Sequence, residues 1–197
     1  EARFLRAYFY FNLVRAYGDV PYFTEMVTTD QVNSLTRTPA QEIFNAIIAE
    51  CDKLSTELPA DYTKLGLDGI APAENGRVTC YAALALKARA ALYAASPLFN
   101  PENNKDLWRR AAEANKEVIE TCTANGFKLS KYSELWGPNN WSNNEMIFVR
   151  RYNGNISTLE EYNFPMGVPG GNSGNCPTQN MVDAYEMKAT GKMWNET

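Results

Sequence analysis

The sequence predicts an all-α protein in which packed helices form a scaffold and long irregular loops carry a ligand site. Apolar residues recur at three- and four-residue spacing in separate segments of residues 1–125, which is the period of a helix with one buried face. After Gly126 the composition changes, because Asn, Gly, Ser and aromatic residues dominate and signals for regular structure become sparse.

The first predicted helix covers residues 2–17. Its aromatic residues Phe4, Tyr8 and Phe11 recur at helical spacing and are expected to pack in the core. Gly18 follows directly and is expected to end the helix, since glycine readily adopts the backbone conformation that closes one.

The second predicted helix begins beside Thr38, which is interpreted as its N-cap, with Pro39 at the first helical position. Its apolar stripe continues as far as Leu58, and Pro59 is expected to stop it. This pattern predicts a helix with a single apolar face.

The third predicted helix covers residues 77–95 and is rich in alanine, so a neighbouring helix is expected to approach it closely. The fourth covers residues 105–123, and Asn125-Gly126 behind it is a suitable C-cap. The helix starts recur with a rough period of thirty-odd residues, which is typical of tetratricopeptide-like helical hairpins stacked as an α-α superhelix.

These features predict two parts of one domain. Residues 1–125 form the tetratricopeptide-like scaffold, and residues 126–197 form an irregular, loop-rich segment with one short strand at residues 146–152. Helical pairs of this kind cannot bury their apolar faces alone, so each pair is expected to need stacked neighbours.

Composition and charge exclude several classes of function. The chain has 197 residues and a net charge of −4, so it lacks the basic surface that nucleic-acid binding requires. It contains no histidine, and no cofactor or metal site is predicted. Buried free thiols are expected rather than disulfides for the well-separated cysteines Cys51, Cys80, Cys122 and Cys176.

A glycoside hydrolase is one alternative that the acidic residues raise, because that chemistry needs two carboxylates that face each other. The available residues are Glu160, Glu161, Asp183 and Glu186. They lie in polar surroundings, where acidic residues are usually solvated, so a protein without enzymatic activity is predicted.

A mixture of aromatic and amide side chains between residues 136 and 180 gives the clearest chemical signal. Aromatic rings cover the apolar C–H faces of sugars, and amides both donate to and accept from sugar hydroxyls. The candidate glycan-binding residues are Tyr152, Tyr162, Asn163, Phe164, Asn172 and Asn175. Packing at the end of the helical core is the alternative for each aromatic, Trp136 and Trp141 included.

Several blocks of sequence occur in the order found in one known family. They lie at residues 1–8, 17–21, 77–79, 82–89, 92–100, 145–148 and 177–187. The last block reads Pro-Thr-Gln-Asn-Met-Val-Asp-Ala-Tyr-Glu-Met and is the most informative. On these blocks the chain resembles the SusD/RagB family of outer-membrane nutrient-binding lipoproteins. Family members are more than twice as long, so the chain is interpreted as an internal fragment.

The resemblance implies an all-helical, tetratricopeptide-like fold and non-catalytic capture of oligosaccharides or polysaccharides. It implies a location on the exterior face of the outer membrane, held there only through an N-terminal lipid anchor outside this fragment. It also implies delivery of the glycan to a SusC-like TonB-dependent transporter. Sugar-stacking aromatics of the starch-binding member match partly to residues 153–176, where Tyr162 and Phe164 stand without a tryptophan, so starch specificity is not implied.

Two alternatives stay open at this point. RagB-type relatives handle peptides, so peptide capture is an alternative to glycan capture. A cytosolic tetratricopeptide-type adaptor would grip a peptide in a concave groove, which needs polar and basic residues along successive helices. The alanine-rich third helix does not offer such residues.

Overall fold

The computed structural model describes residues 1–62, 76–136, 143–150 and 162–196. Its helices are α1 (Ala2–Tyr17), α2 (Thr29–Val32), α3 (Ala40–Glu57), α4 (Cys80–Ala95), α5 (Lys105–Ala124) and α6 (Gln179–Asp183). Single 3-10 turns occur at Tyr132–Glu134 and Trp194–Glu196. These described ranges contain no β-strand, and the prediction of an all-α protein is confirmed.

The chain divides into two compact units, residues 1–150 and 151–197. Unit 1 contains α1 to α5, and α6 lies in unit 2. The helix α5 ends at Ala124, near the division proposed from the sequence, whereas the compact unit continues to Arg150. No helix in the described ranges is long and apolar enough to cross a membrane.

Successive long helices pack side by side in unit 1: α1 on α3, α3 on α4, and α4 on α5. The predicted packing of the first helix is confirmed, because Phe4 and Phe11 are fully buried and Tyr8 packs against the same core. Ring contacts continue across the layers, with Phe11 and Phe44 6.4 Å apart and Phe44 and Phe99 5.0 Å apart.

The middle helix α4 is buried on more than one side, because it lies between α3 and α5. Its buried residues are Tyr81, Ala82, Ala83, Leu84, Leu86, Ala88, Ala90, Ala91, Ala94 and Ala95. Most of them are alanines, and their small side chains let both neighbouring helices come close, as the sequence predicted. The helix begins at Cys80 rather than at the predicted residue 77.

The N-cap predicted at Thr38 is wrong. Thr38 donates its backbone N–H to the carbonyl of Val20 at 2.9 Å in an antiparallel bridge, so its side chain does not cap α3. The carboxylate of Asp19, which is distant in the sequence, caps α3 instead, because Asp19 Oδ1 accepts the Ala40 N–H at 2.8 Å. A negative charge at a helix N-terminus is favourable to the helix dipole.

The predicted end of α5 at Asn125-Gly126 is confirmed: Asn125 is the C-cap, and Gly126 after it has a φ of 88°, a conformation that suits glycine. The Gly126 N–H donates to the Thr123 carbonyl at 3.2 Å, and the Phe127 N–H donates to the Cys122 carbonyl at 3.0 Å. This is the Schellman pattern of helix termination. The Phe127 ring then meets the Tyr81 ring at 4.9 Å and ties the end of α5 to the start of α4.

The strand predicted at residues 146–152 is wrong for residues 146–150, and residues 151 and 152 lie outside the described ranges. No neighbouring strand is present to supply ladder hydrogen bonds in the described part of unit 1. Phe148 instead packs its ring edge-on against Phe4 at 5.3 Å and against Tyr8 at 6.1 Å. The segment is thus held by aromatic packing on α1.

The prediction of buried free thiols is confirmed for Cys51 and Cys122. Cys80 is free and partly buried, whereas burial is wrong for the free thiol of Cys176. Burial raises the pKa of Cys51 to about 12, so this thiol stays protonated and unreactive. Cys176 is exposed and lies in unit 2.

Charged residues of unit 1 link neighbouring helices. Lys87 on α4 is partly buried, and its Nζ lies 2.5 Å from Asp52 Oδ1 on α3 and 2.6 Å from Glu117 Oε2 on α5. Burial alone would lower the pKa of Lys87, but the hydrogen bonds to these two carboxylates hold it above its usual value. One cation therefore connects three helices.

The connection between α4 and α5 depends on the buried amide of Asn100. Asn100 Nδ2 donates to the Ala95 carbonyl at 3.2 Å and to the Asn104 carbonyl at 3.1 Å, and Asn100 Oδ1 accepts the Asn104 N–H at 2.8 Å. The side chain of Gln41 on α3 donates to the carbonyl of Ala94 at 2.7 Å and so holds the same connection from the other side.

We predict that Asn100→Ala lowers the free energy of unfolding by about 1–3 kcal/mol, because it leaves buried backbone groups without partners. Leu98→Ala in the same connection is the control and is expected to change stability by less than about 0.5 kcal/mol, since Leu98 is exposed. Urea unfolding followed by circular dichroism measures both variants. Equal stability of the two would contradict the role given to Asn100.

A second prediction concerns the acid side of the stability profile. Arg3 Nε on α1 lies 2.5 Å from Glu50 Oε1 on α3, and this hydrogen bond holds the pKa of Glu50 below its usual range. A carboxyl whose pKa is lowered by folding stabilises the folded state above its ordinary pKa, and this contribution disappears as the pH falls through the lowered value. Glu50→Gln should therefore cost about 1 kcal/mol at neutral pH and progressively less as the solution becomes acidic.

The matched control is Glu113→Gln on α5, because Glu113 is exposed and its contact with Arg109 is long at 3.9 Å. Unfolding free energies at neutral and strongly acidic pH are compared for both variants. A Glu50→Gln effect that stays constant with pH would refute the assignment of this ion pair.

Candidate functional site

The predicted ligand loop folds back on itself, so that its two ends lie side by side in unit 2. The Ser173 N–H donates to the Phe164 carbonyl at 2.9 Å, and the Gly174 N–H donates to the Tyr162 carbonyl at 2.6 Å. The Ser173 hydroxyl also accepts the Met166 N–H at 2.9 Å. We call residues 162–176 the closed loop, since these bonds join its two arms.

The amide side chains of the two arms meet at the surface of the closed loop. Asn175 Nδ2 donates to Asn163 Oδ1 at 2.6 Å, although twelve residues separate them in the chain. Asn172 is exposed on the same arm as Asn175. The structure therefore brings Tyr162, Asn163, Phe164 and Asn175 together. Tyr152, the remaining candidate, lies outside the described residues.

Both aromatic candidates of the closed loop are accessible. The exposed fraction is 53% for Tyr162 and 43% for Phe164. Tyr162 owes its position to Gly174, because a Cβ at that glycine would overlap the Tyr162 ring. The ring thus lies against bare backbone on one side and meets solvent elsewhere.

The remaining glycines of the loop have different roles. A Cβ at Gly171 would overlap the Pro165 carbonyl oxygen, so only glycine fits where the two arms approach. Gly167 has open space around it and ordinary backbone geometry. Within the Gly/Asn run, Gly171 and Gly174 therefore allow the close contact between the two arms of the loop.

The motif at residues 177–187 forms the helix α6 and its cap. Thr178 Oγ1 accepts the Met181 N–H at 3.3 Å, which is a side-chain N-cap, and Gln179 Nε2 donates to Asp183 Oδ1 at 2.7 Å. The carboxylate of Asp183 is therefore engaged within its own helix. Glu160 and Glu161 lie outside the described residues.

An aromatic pair in unit 1 is also exposed. Trp136 is 70% exposed, so packing in the helical core is wrong for this residue, and its ring contacts Tyr132 edge-on at 5.8 Å. Tyr132 was not among the candidate residues predicted from the sequence. Its spacing of four residues from Trp136 could have indicated the pair. Just before the 3-10 turn Tyr132–Glu134, the Ser130 N–H donates to Glu145 Oε2 at 2.8 Å and so holds this segment in place. Trp141 lies outside the described residues.

Comparison with known proteins identifies relatives over most of the chain. Residues 1–92 match the family model SusD-like_3, described as starch-binding and associating with the outer membrane. A SusD-like carbohydrate-binding protein of Bacteroides fragilis superposes with a TM-score of 0.74 and 27% identity over 98% of this chain. A second SusD-like protein of Bacteroides fragilis gives a TM-score of 0.69, also at 27% identity, over 97% of this chain. The predicted resemblance to SusD-like proteins is thus confirmed: the family model covers residues 1–92, somewhat less than half of the chain, and the two solved relatives match nearly all of it.

Sequence relatives agree with this assignment. Two SusD-like proteins of Formosa agariphila are 25% and 27% identical to the chain over 75% and 80% of its length. The chain covers 24% and 28% of those two proteins, and 35% and 34% of the two Bacteroides fragilis structures. It thus spans about a quarter to a third of the length of the SusD-like relatives that it matches.

We predict that Gly174→Ala displaces the Tyr162 ring while leaving the helices of unit 1 intact, because the added methyl group occupies the space of the ring. Nitration of Tyr162 by tetranitromethane, followed by peptide mass spectrometry, should become several-fold faster in this variant. Gly167→Ala is the matched control, since a methyl group there meets no atom within 4 Å. Identical nitration rates in both variants would contradict the proposed contact.

Proposed function

We propose that this chain is part of a non-catalytic, cell-surface protein that captures glycans and delivers them to a SusC-type TonB-dependent transporter. The observation that carries the proposal is the closed loop, where the exposed aromatic residues Tyr162 and Phe164 lie on the same arm as Asn163, whose amide pairs with Asn175 on the other arm. Asn172 adds a further exposed amide, and Tyr152 is proposed as an additional contact.

The chemistry of the closed loop matches the chemistry of a sugar ring. A pyranose presents apolar C–H faces, which pack on aromatic rings, and hydroxyls, which exchange hydrogen bonds with amides. The loop is closed by its own backbone hydrogen bonds, so less conformational entropy is lost when a ligand binds. Neutral side chains dominate the loop, which suits an uncharged ligand.

The comparisons support the same ligand class. The matching family model is described as starch-binding, and one of the two Bacteroides fragilis relatives is a carbohydrate-binding protein. Because this chain covers only part of each relative, glycan binding by the full-length polypeptide is a proposal. We place that polypeptide on the exterior face of the outer membrane, held by a lipid anchor outside residues 1–197.

Capture without hydrolysis is proposed because the closed loop offers no catalytic pair. The chain contains no histidine, and Asp183 is held by Gln179 within α6. Glycoside hydrolysis requires an acid and a second carboxylate that face each other across the substrate. In the described residues no group of three or more His, Cys, Asp or Glu side chains is arranged to hold a metal ion.

We predict that Tyr162→Ala and Phe164→Ala each weaken oligosaccharide binding by the full-length protein about tenfold, since each removes one stacking face. Isothermal titration calorimetry with a panel of neutral oligosaccharides gives the dissociation constants. Tyr17→Ala is the control, because Tyr17 is an exposed aromatic residue of α1 that lies outside the loop. Circular dichroism confirms that the variants fold alike.

The other outcomes separate the competing functions. Unchanged affinity in both loop variants would overturn the site, even if the glycan binds elsewhere. Release of shorter sugars during incubation would overturn the non-catalytic proposal. A second panel of oligopeptides tests peptide capture, and binding to peptides alone would replace glycans as the ligand class.

A further inference from the structure

Two free cysteines lie at the same end of the helical hairpin formed by α4 and α5. Cys80 is the first residue of α4, and Cys122 lies in the last turn of α5. The two helices pack side by side, and the contact between Tyr81 and Phe127 ties the start of α4 to the end of α5. The helices are therefore antiparallel, and both cysteines lie at the open end of the hairpin, away from the connection at residues 96–104.

A contact in the middle of the hairpin sets the level at which each cysteine lies. The Asn115 side chain on α5 donates to the Ala88 carbonyl on α4 at 3.4 Å. Cys80 lies eight residues before Ala88, and Cys122 lies seven residues after Asn115. Both steps are about two helical turns and return to the same face of each helix. In antiparallel helices the two steps lead to the same level, so Cys80 and Cys122 lie on facing turns.

The ring contact at the open end brings the two thiols into one neighbourhood. Tyr81 follows Cys80 directly, and its ring lies 4.9 Å from the ring of Phe127. The Phe127 N–H in turn donates to the Cys122 carbonyl at 3.0 Å. Burial raises the pKa of both thiols, and the negative charge of a Cys80 thiolate raises the pKa of Cys122 further. The two sulfurs are thus close enough for the charge on one to affect the other.

The packing of the hairpin suits a cross-link between its helices. A disulfide requires two Cα atoms about 4.4–6.8 Å apart, which neighbouring helices reach only where small side chains separate them. Ala111 and Ala114 are buried on α5, which packs on the alanine-rich α4. We propose that Cys80 and Cys122 are a disulfide-forming pair that fastens the open end of the α4–α5 hairpin when a disulfide-containing oxidant reaches it. This pairing does not depend on the proposed glycan function.

The reaction is thiol–disulfide exchange, for which glutathione disulfide is the probe. Cys80 is only partly buried, whereas Cys122 is buried, so the Cys80 thiolate attacks the oxidant first. A bond forms between the Cys80 sulfur and one glutathione, and the other glutathione leaves. The Cys122 thiolate then attacks the Cys80 sulfur, which forms the protein disulfide and releases the second glutathione. The protein loses two electrons and two protons, and the oxidant becomes two molecules of glutathione.

Peptide mass spectrometry of the full-length protein identifies the pair directly. The protein carries Cys176→Ser, which removes the exposed thiol of unit 2. It is incubated with glutathione disulfide at roughly pH 8.5, where more of each thiol is deprotonated. Remaining thiols are then blocked with iodoacetamide in urea, and the protein is digested with trypsin without reduction. We expect peptide 78–87 joined to peptide 117–128, with a mass two hydrogen atoms below the sum of the two.

The other products would overturn the proposal. These are alkylation of both Cys80 and Cys122, a glutathione that stays on Cys80 while Cys122 is alkylated, and a bond from either residue to a different cysteine. Each would show that the two thiols do not reach one another in the folded protein.

Thermal stability gives an independent readout with a matched variant. Oxidation should raise the thermal midpoint of the Cys176→Ser protein by several degrees, because the bond restricts the unfolded chain. The control adds Cys122→Ser to the same protein, and oxidation should then leave the midpoint unchanged, with glutathione retained on Cys80. Comparing oxidised and reduced forms of each variant cancels any cost of the substitution itself. Equal shifts in the two proteins would overturn the proposal.

Discussion

The close packing of α4 between α3 and α5 is the constraint on which the helical scaffold depends. Alanines such as Ala83, Ala90 and Ala95 are fully buried there, so the neighbouring helices rest almost on the backbone of α4. Close-packed interiors tolerate added volume poorly, and a larger side chain at these positions would push the layers apart. The aromatic residues of α1 and α3 fill the remaining space, which is why small and large side chains are segregated between helices.

Because α4 supplies little polar surface, its position is fixed mainly by what surrounds it. Lys87 reaches carboxylates on both neighbouring helices. At the end of α4, Asn100 donates to the Ala95 carbonyl and Gln41 donates to the Ala94 carbonyl. Apolar contact alone would allow several orientations of α4. These ion pairs and hydrogen bonds favour one of them, because they have defined geometry. Buried polar groups with complete sets of partners specify one arrangement more strongly than apolar contacts do.

Elements with a strong local period were predictable, and features that depend on distant partners were not. The bounds of α1 follow from its apolar spacing and from Gly18, and both are local signals. The cap of α3 depends instead on Asp19, which lies twenty-one residues before Ala40 and cannot be recognised from Thr38-Pro39 alone. The strand predicted beyond residue 146 failed for the same reason, because Phe148 finds its partners on α1.

In the candidate site, too, the contacts between residues distant in the sequence could not be predicted. Composition identified the aromatic and amide residues of the closed loop, but it could not pair Asn163 with Asn175 or place Gly174 against the Tyr162 ring. Those contacts give the loop a fixed shape before any ligand arrives, and a fixed shape reduces the entropy lost on binding. Gly171 and Gly174, whose sequence suggests a flexible turn, therefore allow the close contacts that hold the aromatic surface in place.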